Sequence, residues 1–116
     1  MSAMDADERF AALVAALSGR AGVRPPGGSG VRGFGSTALT VDGAIFAMPW
    51  RGALVLKLPR GRVEGLLATG TGLPFDAGKG RPLREWVALP DGAADDDLAL
   101  AEEALTFARS RGRRPG

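Results

Sequence analysis

The sequence predicts a single α+β domain in which an antiparallel sheet carries its helices on one face, with the element order α-β-β-β-α-β-α. Apolar residues recur with helical spacing near both ends of the chain, and apolar runs broken by two-residue turns lie between them. A length of 116 residues and a hydrophobic content of 45% suit one core. We expect residues 1–116 to form one two-layer domain, with a core over about 6–110 and a flexible basic tail over 111–116.

Two long helices are predicted at the ends of this domain. The first covers residues 7–18, and its apolar face comprises Phe10, Leu13, Val14 and Leu17. The last covers residues 95–110, and its apolar stripe comprises Leu98, Ala101, Leu105 and Ala108. The acidic run Asp95–Asp97 stands at the start of the last helix, where the helix dipole favours negative charge. We therefore interpret these three carboxylates as helix-start residues.

Residues 31–58 are predicted to form a three-stranded antiparallel meander. Asp42-Gly43 is a strong turn signal, because a type I′ turn needs positive φ at both positions, and Arg51-Gly52 is a weaker one. These turns separate strands over residues 31–41, 44–50 and 53–58. The Pro- and Gly-rich residues 20–30 are predicted as a loop.

After the meander, a short helix is predicted from Pro59 to about Gly70, and a further strand covers residues 83–89. A short strand is also expected near residues 73–75. The polar stretch between these two strands is predicted as a loop or short edge segment.

Alternation along these strands assigns side chains to two sheet faces. The face toward the helices is predicted to hold Leu54, Leu56, Leu58, Leu83, Val87 and Leu89. The second face is predicted to hold Val55, Lys57, Arg84, Trp86 and Ala88. This second face is either an exposed apolar surface for a partner or a second copy, or it is buried beneath the Gly-rich loop.

Two segments resemble a known family. Residues 33–59 (GFGSTALTVDGAIFAMPWRGALVLKLP) are similar to the opening hairpins of TfoX/Sxy N-terminal domains, in the Phe-Gly at 34–35, the turn Gly43, the Phe-Ala at 46–47 and the strand-ending Lys57. Residues 74–90 (PFDAGKGRPLREWVALP) resemble the family's later segment, with its Pro-Phe, Gly-Lys-Gly turn and aromatic strand. The related MmcQ/YjbR group has the same layout.

This resemblance implies a stand-alone TfoX N-terminal-like domain with a fold like that of type III secretion chaperones. It implies no agreed enzyme activity. Full-length TfoX-type proteins regulate DNA-uptake genes, and many short relatives are described as DNA-binding. The resemblance therefore favours a regulatory role and keeps nucleic acid as an alternative partner.

The composition excludes several kinds of chemistry. The chain has no Cys and no His, so disulfides, Cys/His metal sites and nucleophilic triads that use His are impossible. We expect no enzyme activity, no cofactor and no metal. The N-terminus is acidic and no apolar run approaches ~18 residues, so we expect no signal peptide, no membrane partner and a cytoplasmic location.

Two glycine-rich motifs resemble phosphate-binding loops in composition. Residues 28–33 match G-x-G-x-x-G, but that chemistry needs a strand before the motif and a helix after it, whereas Pro-Pro precedes this one and a strand follows. Gly78-Lys79-Gly80-Arg81 lacks the Ser or Thr and the upstream Gly of a P-loop. We interpret the first as a loop and the second as a solvated turn.

Charge is segregated along the chain, and this segregation supplies the candidate binding residues. Residues 51–84 carry five Arg and two Lys against two acids, whereas residues 85–108 carry seven acids and no base. The tail from Arg109 adds four Arg. The candidate contact residues are Trp50, Arg51, Lys57, Lys79, Arg81, Arg84 and Trp86. We expect a non-enzymatic regulatory module that binds a protein partner or itself; the alternative is a DNA- or RNA-binding domain that uses residues 51–84.

Overall fold

The computed structural model describes residues 6–24, 38–76, 80, 83–90 and 94–112. The helices within this part of the chain are α1 (Ala6–Leu17), α2 (Arg60–Ala68) and α3 (Ala94–Gly112). The strands are β1 (Val23–Arg24), β2 (Leu39–Val41), β3 (Ala44–Trp50), β4 (Ala53–Lys57), β5 (Leu73–Pro74) and β6 (Trp86–Leu89).

The six strands form one antiparallel sheet in the order β1-β2-β3-β4-β6-β5, and the helices pack on one of its faces. The two-layer α+β prediction is therefore confirmed. The structure adds β1 at one edge, within the residues predicted as a loop, and bears out the short strand near residue 73 at the other. Both edge strands are two residues long, and one ends in Pro74, which limits pairing with other chains.

Both predicted hairpin turns are present. Asp42 has φ 52° and Gly43 φ 88°, while Arg51 has φ 49° and Gly52 φ 84°. Positive φ at both central positions is the requirement of a type I′ turn, whose twist matches that of the flanking strands. Arg51 adopts a backbone conformation that L side chains other than Asn and Asp rarely take.

The main core lies between the sheet and the three helices. Leu54, Leu56 and Leu58 are fully buried in it, and the predicted apolar faces of α1 and α3 contribute as expected. A bulge in β3 adds to this core: Leu39 pairs with Ala47 while Thr40 pairs with Ile45, which leaves one extra residue between them. Phe46 is that extra residue. Because of the bulge, Phe46 and the next residue, Ala47, are both buried on the helix side.

The prediction for residues 83–89 was wrong at its start. Residues 84–85 form a turn, and β6 begins at Trp86, whose N–H donates to the Leu83 C=O at 3.3 Å. The turn breaks the strand alternation, so Leu83 packs on the second face instead of the helix side. The last helix also extends through residue 112, into the predicted tail. Residues 25–37 and 113–116, which include part of the predicted first strand, lie outside the described residues.

A buried ion pair joins the first and last helices. Arg9 and Asp97 are each 2% exposed, and the guanidinium donates to both carboxylate oxygens at 2.8 Å. A third guanidinium N–H donates to the Leu89 C=O at 2.8 Å, so the helix pair is also tied to β6. Asp97 does lie in the first turn of α3, as predicted, and the structure adds its ion pair with Arg9, which the sequence analysis did not predict. One sequence signal was available, because Arg9 precedes Leu13 by four residues on the apolar face of α1.

We predict that Gly72→Ala lowers the free energy of unfolding by about 1–3 kcal/mol, the usual cost of overpacking a core. A Cβ at this position would collide with the side chain of Val87 and touch Leu66 and Leu89. Chemical denaturation measures the effect. Gly65→Ala on α2 is the matched control, because a Cβ there meets nothing within 4 Å and alanine favours a helix. A Gly72→Ala protein as stable as the wild type would contradict the packing described here.

Candidate functional site: the cation–aromatic face

The second face of the sheet is buried at its centre. A second hydrophobic cluster packs on this face, apart from the main core. Its side chains that are no more than 9% exposed are Ala38, Met48, Val55, Phe75 and Ala88. Ile45, Trp50, Ala53, Leu83 and Trp86 are half-buried around them. The alternative in which this face is an open apolar surface is therefore wrong. Among the described residues, the large hydrophobic side chain that is exposed is Leu73, at 50%, and it does not belong to this cluster.

Phe75 connects two tryptophans across this face. Its ring centroid lies 5.5 Å from that of Trp50 in an edge-to-face arrangement, and 6.0 Å from that of Trp86 at an interplanar angle of 49°. Trp50 ends β3 and Trp86 begins β6, and β4 runs between these two strands. Small Ala53 and Val55 on β4 leave room for the phenyl ring. Ring pairs with such geometry are each worth about 0.5–1.5 kcal/mol beyond their burial.

A cation lies over each tryptophan. The Arg51 Cζ is 5.3 Å from the centroid of the Trp50 ring, and the Lys57 Nζ is 5.6 Å from that of the Trp86 ring. Both pairs follow from the fold: Arg51 comes directly after β3 in its turn, and Lys57 is paired with Trp86 across β4 and β6. Cation–π attraction of about 0.5–1 kcal/mol at exposed sites favours these positions of the two charges. We call Trp50, Arg51, Lys57, Phe75 and Trp86 together the cation–aromatic face.

The charges of the described residues are sorted between the two sides of the sheet. On the helix side, arginines pair with acids in Arg9–Asp97, Arg20–Glu102, Arg60–Glu64 and Arg62–Glu103. Arg51, Lys57 and Arg84 form no ion pair with another described residue. The described cations of the basic region 51–84 therefore fall into two groups: Arg60 and Arg62 on α2 are paired with acids, whereas Arg51, Lys57 and Arg84 are not paired with a described acid.

The structure brings together four of the seven predicted contact residues. Trp50, Arg51, Lys57 and Trp86 meet around Phe75, which the sequence prediction missed. Arg84 is exposed in the turn that leads into Trp86. Lys79 and Arg81 lie outside the described residues, as do most of the Gly78–Arg81 motif and all of residues 28–33. Asp76 and Glu85 border the face in sequence, so its surroundings are not uniformly basic.

In residues 6–24, 38–76, 80, 83–90 and 94–112, no group of three His, Cys, Asp or Glu side chains could hold a metal ion. Over the same ranges, no helix has both the length and the apolar character needed to cross a membrane.

Comparison of this chain with family models, with curated proteins and with solved structures finds no match. The resemblance to TfoX/Sxy N-terminal domains therefore stays a prediction. The geometry of the cation–aromatic face is the basis on which a function can be assigned.

Proposed function

We propose that this chain is a non-enzymatic protein-interaction module with a regulatory role, and that its cation–aromatic face binds an acidic segment of a partner protein. One observation carries the proposal. Arg51 and Lys57 are each held over a tryptophan ring, and neither has a carboxylate partner among the described residues. The rings restrict these two cations in part, and both can still meet a carboxylate of a partner.

Physical chemistry favours this surface as a contact site. Trp and Arg are enriched among the residues that dominate binding energy in protein interfaces. Stacking on the rings restricts the Arg51 and Lys57 side chains before any partner arrives, so less rotamer entropy is lost on binding. Charge-assisted hydrogen bonds to carboxylates are about twice as strong as neutral ones, and Arg can make two of them in parallel.

The regulatory part of the proposal is supported by the resemblance of residues 33–59 and 74–90 to TfoX-type domains. Self-association is the other mode of the same proposal, since a second copy could present acids of residues 85–108 other than Asp97, which is buried against Arg9. Sedimentation analysis of the free protein distinguishes a partner protein from a second copy.

A nucleic-acid partner is the second candidate. It is favoured by Arg51 and Lys57, which lie over tryptophan rings, and by Arg84, which is exposed in the turn before Trp86; cations and aromatic rings together are typical of single-strand binding surfaces. Base stacking, however, needs a free ring face. One side of each tryptophan already holds a cation of this chain, and the rings also pack on Phe75, so a carboxylate-bearing protein ranks first.

Fluorescence anisotropy with a labelled Glu-rich peptide and labelled oligo-dT tests this proposal. We expect the peptide to bind, and Arg51→Asn combined with Lys57→Gln to weaken it about tenfold or more, because charge-assisted hydrogen bonds are lost. Asn suits positive φ, so the first substitution removes the charge without straining the turn. Arg20→Gln is the matched control, because it removes an exposed arginine that lies on the helix side.

Each outcome of this titration has a defined meaning. Unchanged peptide binding in the double variant would contradict the proposed face. Tighter binding to oligo-dT than to the peptide, with log K falling steeply with log salt, would favour the nucleic-acid candidate.

A further inference from the structure

We infer that a cleft beside α2 is a binding site for a small carboxylic acid with an apolar body, such as an aryl or branched-chain acid. The cleft has a volume of about 340 Å³ and lies between α2 and the turn that precedes β6. This site differs from the proposed macromolecular contact in the size of its ligand and in its cation, Arg84, although the two share Trp86.

The floor of the cleft is apolar. By floor we mean the apolar residues that line the cleft, which are Val63, Leu67, Pro74, Leu83 and Trp86. Val63 is 2% exposed and belongs to the main core, whereas Leu83 and Trp86 belong to the second cluster. The cleft therefore opens where the two hydrophobic clusters meet, and a hydrocarbon body placed there would remove more apolar surface from water.

The charge at the rim fits one anion. Arg84 is exposed and forms no ion pair with a described residue, whereas Arg60 and Glu64 lie 3.4 Å apart and compensate each other. One guanidinium is thus left beside an apolar floor. A guanidinium binds a carboxylate through two parallel N–H···O bonds, which fixes the orientation of the ligand.

Backbone hydrogen bonds form the wall that carries Arg84. The Leu83 N–H donates to the Phe75 C=O at 2.9 Å, and the Trp86 N–H donates to the Leu83 C=O at 3.3 Å. On the strand side, the Leu58 N–H donates to the Glu85 C=O at 2.9 Å. These bonds, with Lys57 over the Trp86 ring, hold the turn against the sheet, so the wall exists before a ligand binds.

The volume favours a small molecule. It lies near the lower end of the range for ligand pockets, about 300–1,000 Å³, and accommodates one ring or branched chain with its carboxylate. We therefore choose phenylacetate as the probe and phenylacetamide, its neutral isostere, as the control ligand.

Titration of the Trp50→Phe protein tests the site, because the chain has two tryptophans and Trp86 becomes the fluorophore. We expect phenylacetate to change Trp86 emission with a Kd in the low-millimolar range, as suits so small a ligand. Arg84→Gln is expected to weaken phenylacetate binding about tenfold or more, and Arg84→Lys is expected to recover part of it. Arg51→Asn, which changes a cation outside the cleft, is expected to leave it unchanged.

Three outcomes would overturn the inference. They are equal binding of phenylacetate and phenylacetamide, unchanged binding in Arg84→Gln, and no response of the Trp50→Phe protein up to about 20 mM phenylacetate. Weakened peptide binding in Arg51→Asn with retained phenylacetate binding would separate the two sites, because Arg51 does not line the cleft, so either can fail alone.

Discussion

Replacing Asp97 with alanine is expected to lower the free energy of unfolding by about 3–5 kcal/mol, a large share of the stability of a domain of this size. Asp97 is 2% exposed and accepts two hydrogen bonds from Arg9, which is equally buried. Its removal leaves a guanidinium in the core with one remaining partner, the Leu89 carbonyl. Urea denaturation followed by circular dichroism measures the loss.

Two further variants show whether the stability lost in Asp97→Ala comes from leaving the Arg9 charge unpaired in the core or only from losing a contact. Glu102→Ala breaks an exposed ion pair with Arg20 and is expected to cost about 0–1 kcal/mol. The double replacement Arg9→Met with Asp97→Leu removes both charges and is expected to restore most of the stability lost in Asp97→Ala. A cost below about 1 kcal/mol for Asp97→Ala would contradict the buried pair.

Phe75→Ala is expected to have the second-largest effect, a loss of about 3–5 kcal/mol of unfolding free energy. The ring is 4% exposed and contacts Trp50 on one side and Trp86 on the other. Its removal leaves a cavity between β4 and the two indoles. We therefore also expect the tryptophan emission to shift to longer wavelength, because both rings become more exposed to water.

Leu73→Ala is the matched control for this prediction. Leu73 lies two residues before Phe75 but is 50% exposed, so its truncation is expected to change stability by no more than about 0.5 kcal/mol. Phe75→Leu keeps most of the volume and is expected to cost less than Phe75→Ala. Unchanged tryptophan emission in Phe75→Ala would show that Phe75 does not position the two rings.

Local signals predicted most of the fold. The Asp42-Gly43 and Arg51-Gly52 dipeptides located both hairpins, since few residue pairs accept positive φ twice. Alternation assigned Leu54, Leu56 and Leu58 to the helix side, and the structure confirms it. Alternation assigned Leu83 to the wrong face, because residues 84–85 form a turn and the strand begins only at Trp86. Neither turn residue is Gly or Pro, so the sequence did not indicate this turn.

Long-range contacts were harder to predict. The Arg9–Asp97 pair joins residues 88 positions apart, so no local pattern pairs them, although Arg9 lies on the apolar face of α1 and Asp97 at the start of α3. Phe75 follows a two-residue edge strand, so no periodic pattern assigned its ring to a face. The candidate cations were predicted from composition, but only the fold separates Arg51 and Lys57 from the arginines that are neutralised on α2.

The most direct test of the cation–aromatic face is an ¹H–¹⁵N correlation spectrum recorded during titration with the Glu-rich peptide. The chain has two tryptophans, and both lie on this face, so their two indole N–H signals report on it directly. We predict that both indole signals and the Arg51 and Lys57 amides shift in a saturable way, while the α1 and α3 amides stay in place. Shifts confined to α1 and α3, with unmoved indole signals, would contradict the account.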